Sequence, residues 1–266
     1  MKCFSTGSLM LVLAGAMVTA ASGQTRGVDA NACARLAMSL SLPHTTVTSV
    51  QPVAAGQFVP TEGNAATRQA AAKLPAFCRV SLTIAPTSDS DIRSEVWLPL
   101  SGWNGKFQQV GNGGWGGSIQ YAALADALQR GYAAASTDTG HVGDSAQFAL
   151  GHPEKLIDFG YRAVHETAAQ GKSVVNAFYG SAPRLSYFVG CSGGGRQAFM
   201  EAQRYPADFD GIVAGAPGYP KLLFVAGHRL LLARAWGLRL FEPLGRRAIA
   251  SPTQAIVLVE LDLALL

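Results

Sequence analysis

The feature that most constrains the fold is a sharp turn between an apolar segment and a helix-like segment, centred on Ser192. Residues 185–189 are typical of a buried strand, and the segment after the turn has helical character through Arg204. Gly190 and Gly194 stand two residues before and after Ser192, which is the spacing of a strained strand-to-helix turn that presents a serine. Those neighbours must lack side chains because the backbone is tightly bent there. The pattern predicts a nucleophilic serine; an ordinary serine in a glycine-rich turn is the alternative.

Residues 111–117, Gly-Asn-Gly-Gly-Trp-Gly-Gly, form a glycine-rich segment directly after the predicted strand 106–110. Glycines let backbone N–H groups approach a ligand closely, but no Gly-Lys-Ser/Thr follows, so a phosphate loop is disfavoured. In a serine esterase such a loop supplies the second oxyanion donor, beside the N–H of the residue after the nucleophile. A flexible turn is the alternative interpretation.

Strand-like and helix-like segments alternate along the body of the chain. The predicted strands are residues 77–85, 92–98, 106–110, 132–136, 185–189 and a segment within 209–217, and the predicted helices are residues 30–40, 121–130, 158–178 and the segment after Ser192 to 204. Residues 42–75 are expected to hold a strand and a loop. We therefore expect an α/β fold with a mostly parallel sheet covered by helices on both faces.

Asp138 and His141 follow the predicted strand 132–136, at the edge where open α/β sheets bind ligands. For Asp138 we favour a structural role in the loop. For His141 a structural role is also favoured, with lining of the pocket as the alternative. His165, inside the predicted helix 158–178, is expected to be packed or exposed.

The first 23 residues have the pattern of a secretory signal peptide. Lys2 precedes an apolar stretch at 9–21, which ends in small residues that suit cleavage. The stretch is too short for a membrane span, and no later apolar run is long enough to cross a bilayer. We expect a secreted or periplasmic protein without a membrane span; a buried N-terminal helix is the alternative. The net charge of +4 is spread along the chain, so no nucleic-acid partner is expected.

The cysteines suit an oxidising compartment. Cys3 would leave with the signal peptide, and Cys33 with Cys78 is a candidate disulfide that ties the N-terminal arm to the first strands. Cys191, beside Ser192, is then left without a partner. A buried structural thiol is the alternative for it.

The sequence resembles the tannase/feruloyl esterase family of secreted α/β-hydrolases from about residue 33 to about residue 236. Its most specific feature is the Cys191–Ser192 pair within Gly-Cys-Ser-Gly-Gly-Gly-Arg-Gln-Ala, residues 190–198. Further matching segments are Arg-Tyr-Pro at 204–206, Phe-Asp-Gly-Ile-Val-Ala-Gly-Ala-Pro at 209–217, Val-Gly-Asn-Gly-Gly at 110–114 and Ser-Thr-Asp-Thr-Gly-His at 136–141.

The resemblance implies hydrolysis of small aromatic esters of the galloyl or feruloyl type. On that pattern Ser192 attacks the ester carbonyl and forms an acyl-enzyme, a histidine takes its proton, and an acid orients the histidine. The N–H groups of Gly193 and of Gly113 or Gly114 hold the oxyanion. The family also joins the cysteine before the serine to a cysteine beside the catalytic histidine. It further carries a lid after the strand that follows the elbow, with a calcium site in the lid.

The sequence departs from this pattern after residue 217. No His-Cys pair and no aspartate-rich calcium loop follow, and nothing marks His228, Glu242 or Asp262 as members of a triad. We therefore expect a C-terminally truncated esterase: a signal peptide at 1–23, a partial catalytic domain at 24–220, and the start of a lid or an aberrant tail at 221–266. No cofactor is expected in this chain, and calcium only in the family's lid.

Two consequences are expected from the missing segment. The chain should be inactive, because a serine hydroxyl without its histidine is a weak nucleophile. A non-catalytic fragment or binding module of the same fold is the alternative function. With its last strands missing, the sheet should also present an exposed edge.

Overall fold

The structure is a computed structural model that describes residues 30–217, 248–251 and 254–259. The predicted signal peptide at 1–23 lies outside the described residues, as do His228, Glu242 and Asp262.

In the described part of the chain, nine strands form one sheet in the order β1-β2-β3-β5-β4-β6-β7-β9-β8. Strands β5, β4, β6, β7 and β9 run parallel to one another, whereas β1, β2 and β3 form an antiparallel flank. The strands are β1 (Thr45–Val53), β2 (Phe77–Ile84), β3 (Ile92–Pro99), β4 (Lys106–Val110), β5 (Ala133–Thr137), β6 (Leu185–Cys191), β7 (Gly211–Gly215), β8 (Ala248–Ser251) and β9 (Gln254–Val259). The prediction of an α/β fold around a mostly parallel sheet is confirmed.

Helices cover both faces of the sheet. Helices α1, α5 and α6 pack on one face, around Phe107 and Phe188, and helices α2 and α3 pack on the other, around Trp97 and Phe77. The two cores separate because successive strand residues point to opposite faces, as Phe77 and Cys78 do. The helices are α1 (Ala30–Ser39), α2 (Ala65–Ala71), α3 (Tyr121–Gln129), α4 (Pro153–Ile157), α5 (Ala163–Tyr179) and α6 (Gly193–Arg204).

Helix α2, within the region expected to hold only a strand and a loop, was not predicted. It begins after Asn64, whose side chain accepts a hydrogen bond from the N–H of Thr67. Its sequence, Ala-Ala-Thr-Arg-Gln-Ala-Ala, suits a helix, but it is too short to show a periodic pattern.

The helix predicted at 158–178 is instead two segments, a π-helical turn at Asp158–Arg162 and α5, and α4 directly precedes them. Arg196 of α6 donates to the carbonyl oxygens of Phe159 and Gly160, at 3.0 and 2.9 Å. The carbonyls of this wider turn are thus bonded from outside the helix, which satisfies groups that a regular α-helix would pair internally.

The sheet does not end at β7: two further strands follow it, and β8 is the last strand on this side among the described residues. β9 pairs with β7 in parallel along its whole length, from Gly211 opposite Ala255 to Gly215 opposite Val259. The segment 254–259, Gln-Ala-Ile-Val-Leu-Val, is rich in β-branched residues, which favour an extended strand beside another.

A disulfide joins Cys33 of α1 to Cys78 of β2, as predicted. Both cysteines are fully buried in the core of that face, where α1 also packs Leu36 against the sheet. The bridge closes a segment of 45 residues and therefore restricts the unfolded chain strongly.

Replacing both Cys33 and Cys78 with Ser should lower the free energy of unfolding by about 3–4 kcal/mol, because the 45-residue loop is no longer closed in the unfolded state. Urea denaturation followed by circular dichroism measures the change. Reduction of the wild-type protein should give a similar loss, and Cys191→Ser should give none. An unchanged midpoint in the double variant would contradict a stabilising bridge.

Candidate active site

Ser192 lies at the turn between β6 and α6, in a backbone conformation that residues other than glycine rarely adopt. Its φ is +57° and its ψ is −113°, and the residue is exposed. The backbone N–H of Ser192 donates to the carbonyl of Gly215 in β7 at 3.0 Å, and its own carbonyl accepts from Arg196 at 3.1 Å. Sheet and helix together hold the strained residue, so its side chain is presented to solvent at the carboxyl end of the strands.

The glycines around Ser192 are required by close backbone contacts. A Cβ atom on Gly190 would overlap the Gly194 backbone, 2.8 Å from its Cα atom. A Cβ atom on Gly194 would lie 3.0 Å from the Asn112 carbonyl, and one on Gly195 would lie 2.8 Å from the Cα atom of Pro217. The motif therefore packs the first turn of α6 against β6, the glycine-rich loop and the end of β7.

The glycine-rich loop 111–117 lies against the first turn of α6. The position of a Cβ atom on Gly193 is 3.1 Å from the backbone nitrogen of Gly114 and 2.8 Å from its carbonyl oxygen. Within the described part of the chain, the N–H groups of Gly113, Gly114 and Gly193 donate to no other group. The structure thus places the four residues predicted for the nucleophile and the oxyanion hole on two adjoining segments, the loop and the turn before α6.

Two side-chain contacts hold the loop in place. Asn112 and Gln197 exchange hydrogen bonds between the loop and α6, and the carboxylate of Asp144 accepts from the N–H of Trp115 at 3.0 Å. Gly117 and Gly143 also pair as an isolated β-bridge. These polar residues carry no separate signal in the sequence, although Asn112 and Gln197 both lie inside the segments that carry the family resemblance.

Aromatic side chains form a wall beside the loop. Trp115, which is 43% exposed, stacks on Phe159 at 5.2 Å between ring centroids, and the guanidinium of Arg196 lies 4.5 Å from the centre of the same ring. Phe148 lies 3.8 Å from the ring of His141 and parallel to it. The wall is apolar and partly open, which is the kind of surface that an aromatic acid contacts favourably.

None of the four described histidines is hydrogen-bonded to Ser192. His152 contacts Asp89, His165 contacts Asp208, and His141 lies 3.3 Å from the hydroxyl of Thr139. His141 is buried, its Nε2 has no partner among the described residues, and burial lowers its pKa. It also lines a cavity of about 360 Å³ with Phe148, so its position fits both interpretations made for it.

Asp138 closes the loop after β5. Its Oδ1 accepts from the backbone N–H groups of Arg93 and Gly140, at 2.9 and 2.8 Å. Burial raises its pKa to about 7, and the two backbone hydrogen bonds only partly oppose that rise. These bonds agree with the structural role favoured from the sequence.

Cys191 is a free, exposed thiol in the described part of the chain. It follows that the alternative interpretation, a buried structural thiol, is wrong. Its side chain lies beside β7, 3.4 Å from the Cβ position of Gly215. The predicted partner from the family's pattern is not among the described residues.

At the far end of α6, Glu201 is completely buried near Asp208 and His165. Neither carboxylate oxygen of Glu201 accepts a hydrogen bond from a described donor. Burial raises the pKa of Glu201 to about 9, and the neighbouring carboxylate of Asp208 adds to that rise. Asp208 is in turn bonded by His165 at 2.6 Å and approached by Lys172 at 3.7 Å.

These residues do not fit the calcium ion that the family resemblance implies. His165, Glu201 and Asp208 are the one group of three ligating side chains found among the described residues. Calcium prefers six to eight oxygen ligands, whereas this group offers an imidazole and has the ammonium of Lys172 beside it. The resemblance places the family's calcium site in the lid, and the sequence after residue 217 has no aspartate-rich loop for it.

Comparisons with known proteins agree on one group. A family model described as tannase and feruloyl esterase matches residues 78–234. An uncharacterized esterase of Xanthomonas campestris is 48% identical over 210 residues, which are 78% of this chain and 34% of that protein. Feruloyl esterase B of Aspergillus niger is 38% identical over 185 residues, covering 69% of this chain and 35% of that protein.

Among solved structures, the crystal structure of feruloyl esterase B from Aspergillus oryzae matches with a TM-score of 0.64 and 36% identity, over 71% of this chain and 37% of that one. The chain therefore spans about a third of the length of the curated relatives it matches.

The parallel centre of the sheet, the helices on both faces and these structural neighbours define an esterase fold of the α/β-hydrolase type. Within that class, the chain belongs to the tannase and feruloyl esterase family. In the described residues no helix combines the length and the apolar character that crossing a membrane demands.

Replacing Gly190 with Ala should destabilise the protein by about 2 kcal/mol or more, because the new methyl group overlaps the Gly194 backbone. Thermal denaturation measures the change. Gly160→Ala is the matched control, since a Cβ atom there meets nothing within 4 Å; its effect should stay within about 0.5 kcal/mol. Equal melting temperatures for the two variants would contradict the close packing of the elbow.

Glu201→Gln should flatten the pH dependence of stability between about pH 5 and pH 9. The folded state holds a proton on Glu201 to about pH 9, whereas the unfolded carboxyl loses it near its ordinary pKa of 4.5. The stability associated with the neutral form is therefore complete below about pH 4.5 and is lost as the pH rises towards 9.

Urea denaturation at several pH values tests this point. The wild-type protein should lose stability from pH 5 to pH 9, and the loss should be smaller in Glu201→Gln. The exposed Glu62 supplies the control, because Glu62→Gln should retain the wild-type slope. Identical slopes in all three proteins would show that Glu201 is ionised in the folded state.

Proposed function

We propose that this chain carries the nucleophile and the oxyanion hole of a secreted carboxylic-ester hydrolase that acts on small aromatic esters of the galloyl or feruloyl type. The observation that carries the proposal is the exposed Ser192 at φ +57°, next to a loop whose Gly114 backbone lies against Gly193. The relatives named as feruloyl esterases support the substrate class.

In the proposed reaction the Ser192 hydroxyl oxygen attacks the ester carbonyl carbon, and its proton passes to a base. The carbonyl oxygen gains negative charge, and the N–H groups of Gly193 and of Gly113 or Gly114 donate to it. The alcohol leaves with the proton, which gives an acyl group on Ser192; water then attacks this acyl group and releases the acid. The base would be a histidine oriented by an acid, and no described histidine contacts Ser192.

We propose the same division of the chain as the sequence suggests: a signal peptide at 1–23, a catalytic domain at 24–220, and the start of a lid or a tail from 221. The Cys33–Cys78 disulfide supports the secreted or periplasmic location, because such bridges persist in oxidising compartments. Calcium is not part of the proposed reaction, since the ligating cluster in the described residues does not suit it.

The second candidate function is a non-catalytic fragment or binding module with the same fold. It is favoured by one observation: none of the four described histidines is hydrogen-bonded to Ser192, and three of them are bonded to Asp89, Asp208 and Thr139 instead. Such a protein would keep the apolar wall near Trp115 and bind an aromatic acid without hydrolysing its ester.

Labelling with a fluorophosphonate distinguishes the two candidates. The purified chain should gain the mass of one phosphonyl group, because the probe reacts with a serine hydroxyl that faces an oxyanion hole. Intact-protein mass spectrometry measures the adduct, and p-nitrophenyl acetate and methyl ferulate report turnover. Slow labelling with little turnover is expected, since an unassisted hydroxyl is a weak nucleophile.

Ser192→Ala should abolish the label. The exposed Ser173 of α5 gives the matched control, because Ser173→Ala should label as the wild type does. A folded wild-type protein with neither label nor turnover would favour the binding module.

A further inference from the structure

We propose that Gln197 is a positioning residue for the oxyanion hole: through Asn112, its side-chain amide holds the backbone of the glycine-rich loop in register with Gly193. The inference rests on the proposed function, because it assigns to a helix residue the spacing between the two sources of oxyanion donors. The observations that carry it are a reciprocal pair of buried hydrogen bonds and the packing of glycine against glycine.

Gln197 lies on α6, five residues after Ser192, and is 2% exposed. Its Oε1 accepts from the backbone N–H of Asn112 at 3.0 Å, and its Nε2 donates to the Oδ1 of Asn112 at 3.1 Å. Both ends of the amide are therefore used, and both bonds reach the same loop residue. Only an amide side chain offers an acceptor and a donor at this spacing.

Asn112 passes this constraint to the rest of the loop. It is 3% exposed, and its Nδ2 lies 2.7–3.0 Å from three carbonyl oxygens, those of Gly116, Ser118 and Thr137. The contacts join the start of the loop, the end of the loop and strand β5. Gln197 thus fixes the orientation of the side chain on which the loop's shape depends.

The position of the loop determines where the proposed oxyanion donors lie relative to one another. Gly111 and the carbonyl of Asn112 lie within 3.2 Å of the Cβ position of Gly194, and Gly114 lies equally close to that of Gly193. The loop and the first turn of α6 therefore meet through backbone atoms, with no side chain between them to act as a spacer. Contacts of this kind have no preferred direction. The hydrogen bonds between Gln197 and Asn112 therefore set the position of the loop relative to α6.

An apolar side chain in place of Gln197 would leave the buried N–H and Oδ1 of Asn112 without these partners, so the loss of Gln197 would destabilise the fold as well as release the loop. Burying an amide gains little net stability, because its bonds replace bonds to water. The amide does add direction, since its two bonds fix both the distance and the rotation of the loop relative to the helix. A displacement of about 1 Å at a catalytic group can cost on the order of a hundredfold in rate, so the direction of these bonds bears on the reaction as well as on the fold.

The test compares Gln197→Met, Gln197→Glu and Gln203→Met in the full chain. Gln203 lies on the same helix and is exposed, so its variant makes the same chemical change away from the loop. The rate of Ser192 phosphonylation by a fluorophosphonate is measured well below the melting temperature of every variant. Amide hydrogen exchange of residues 111–117 is measured in parallel.

Gln197→Met should slow phosphonylation on the order of tenfold to a hundredfold and speed exchange in the loop, while Gln203→Met leaves both unchanged. When its carboxyl is ionised, Gln197→Glu keeps the acceptor for the Asn112 N–H but has no donor for the Asn112 Oδ1, so its labelling should slow as the pH is raised. A folded Gln197→Met protein that labels at the wild-type rate overturns the inference, whatever its melting temperature.

Failure of the proposed function gives a different result. If the folded wild-type chain takes no label, the serine-hydrolase proposal fails, and exchange alone decides the role of Gln197. Faster exchange at residues 111–117 in Gln197→Met, and not in Gln203→Met, then supports the positioning of the loop. Exchange equal to that of the wild type in both variants overturns it.

Discussion

The structure depends on one strained residue. Ser192 adopts a positive φ that costs free energy in a residue with a side chain, and the surrounding backbone must offset that cost. It does so through parallel strands on either side of β6, through the N–H of Ser192 bonded to β7, and through glycines that let helix and loop approach. The order of the strands is therefore needed to hold Ser192 in this exposed position.

The buried polar groups in this half of the molecule fall into two kinds. Gln197 and Asn112 use most of their hydrogen-bonding capacity and connect two backbone segments. Glu201 uses none of its acceptors and is held neutral by burial at the other end of the same helix. Helix α6 therefore carries two different groups. Near its start, Gln197 orients the glycine-rich loop, and in its last turn the buried carboxyl of Glu201 makes stability depend on pH.

Much of the fold could be predicted from local patterns, because the strands and helices near the site have strong ones. The apolar run before Gly190 and the alternation at 77–84 predict strands close to their observed limits, and Gly180 ends α5 in the left-handed conformation that glycine favours at a helix end. Helix α2 was missed because it is short, and the π-helical turn because it is bonded by Arg196 from a distant helix. The pairing of β9 with β7 joins segments about 40 residues apart, which no local pattern contains.

The same limit applies to the site. Position 192 follows from the spacing of the glycines together with the strand-like segment before them and the helix-like segment after them. The partners of Asn112 and Asp144 depend on which loops the sheet brings together, so their sequence neighbours say nothing of them. A polar residue within a helix, as Gln197 is, gives no sign of whether it faces water or a buried amide.

The tight contact between Gly195 and the end of β7 has a consequence for the continuation of the chain. Pro217 meets α6 backbone to backbone at Gly195, so the polypeptide leaves β7 beside the turn that presents Ser192. An insertion that begins at the end of β7 would therefore need no long connecting segment to lie next to the Ser192 hydroxyl. Exchanging that insertion alone can then change which molecules reach Ser192, without altering the turn that presents its hydroxyl.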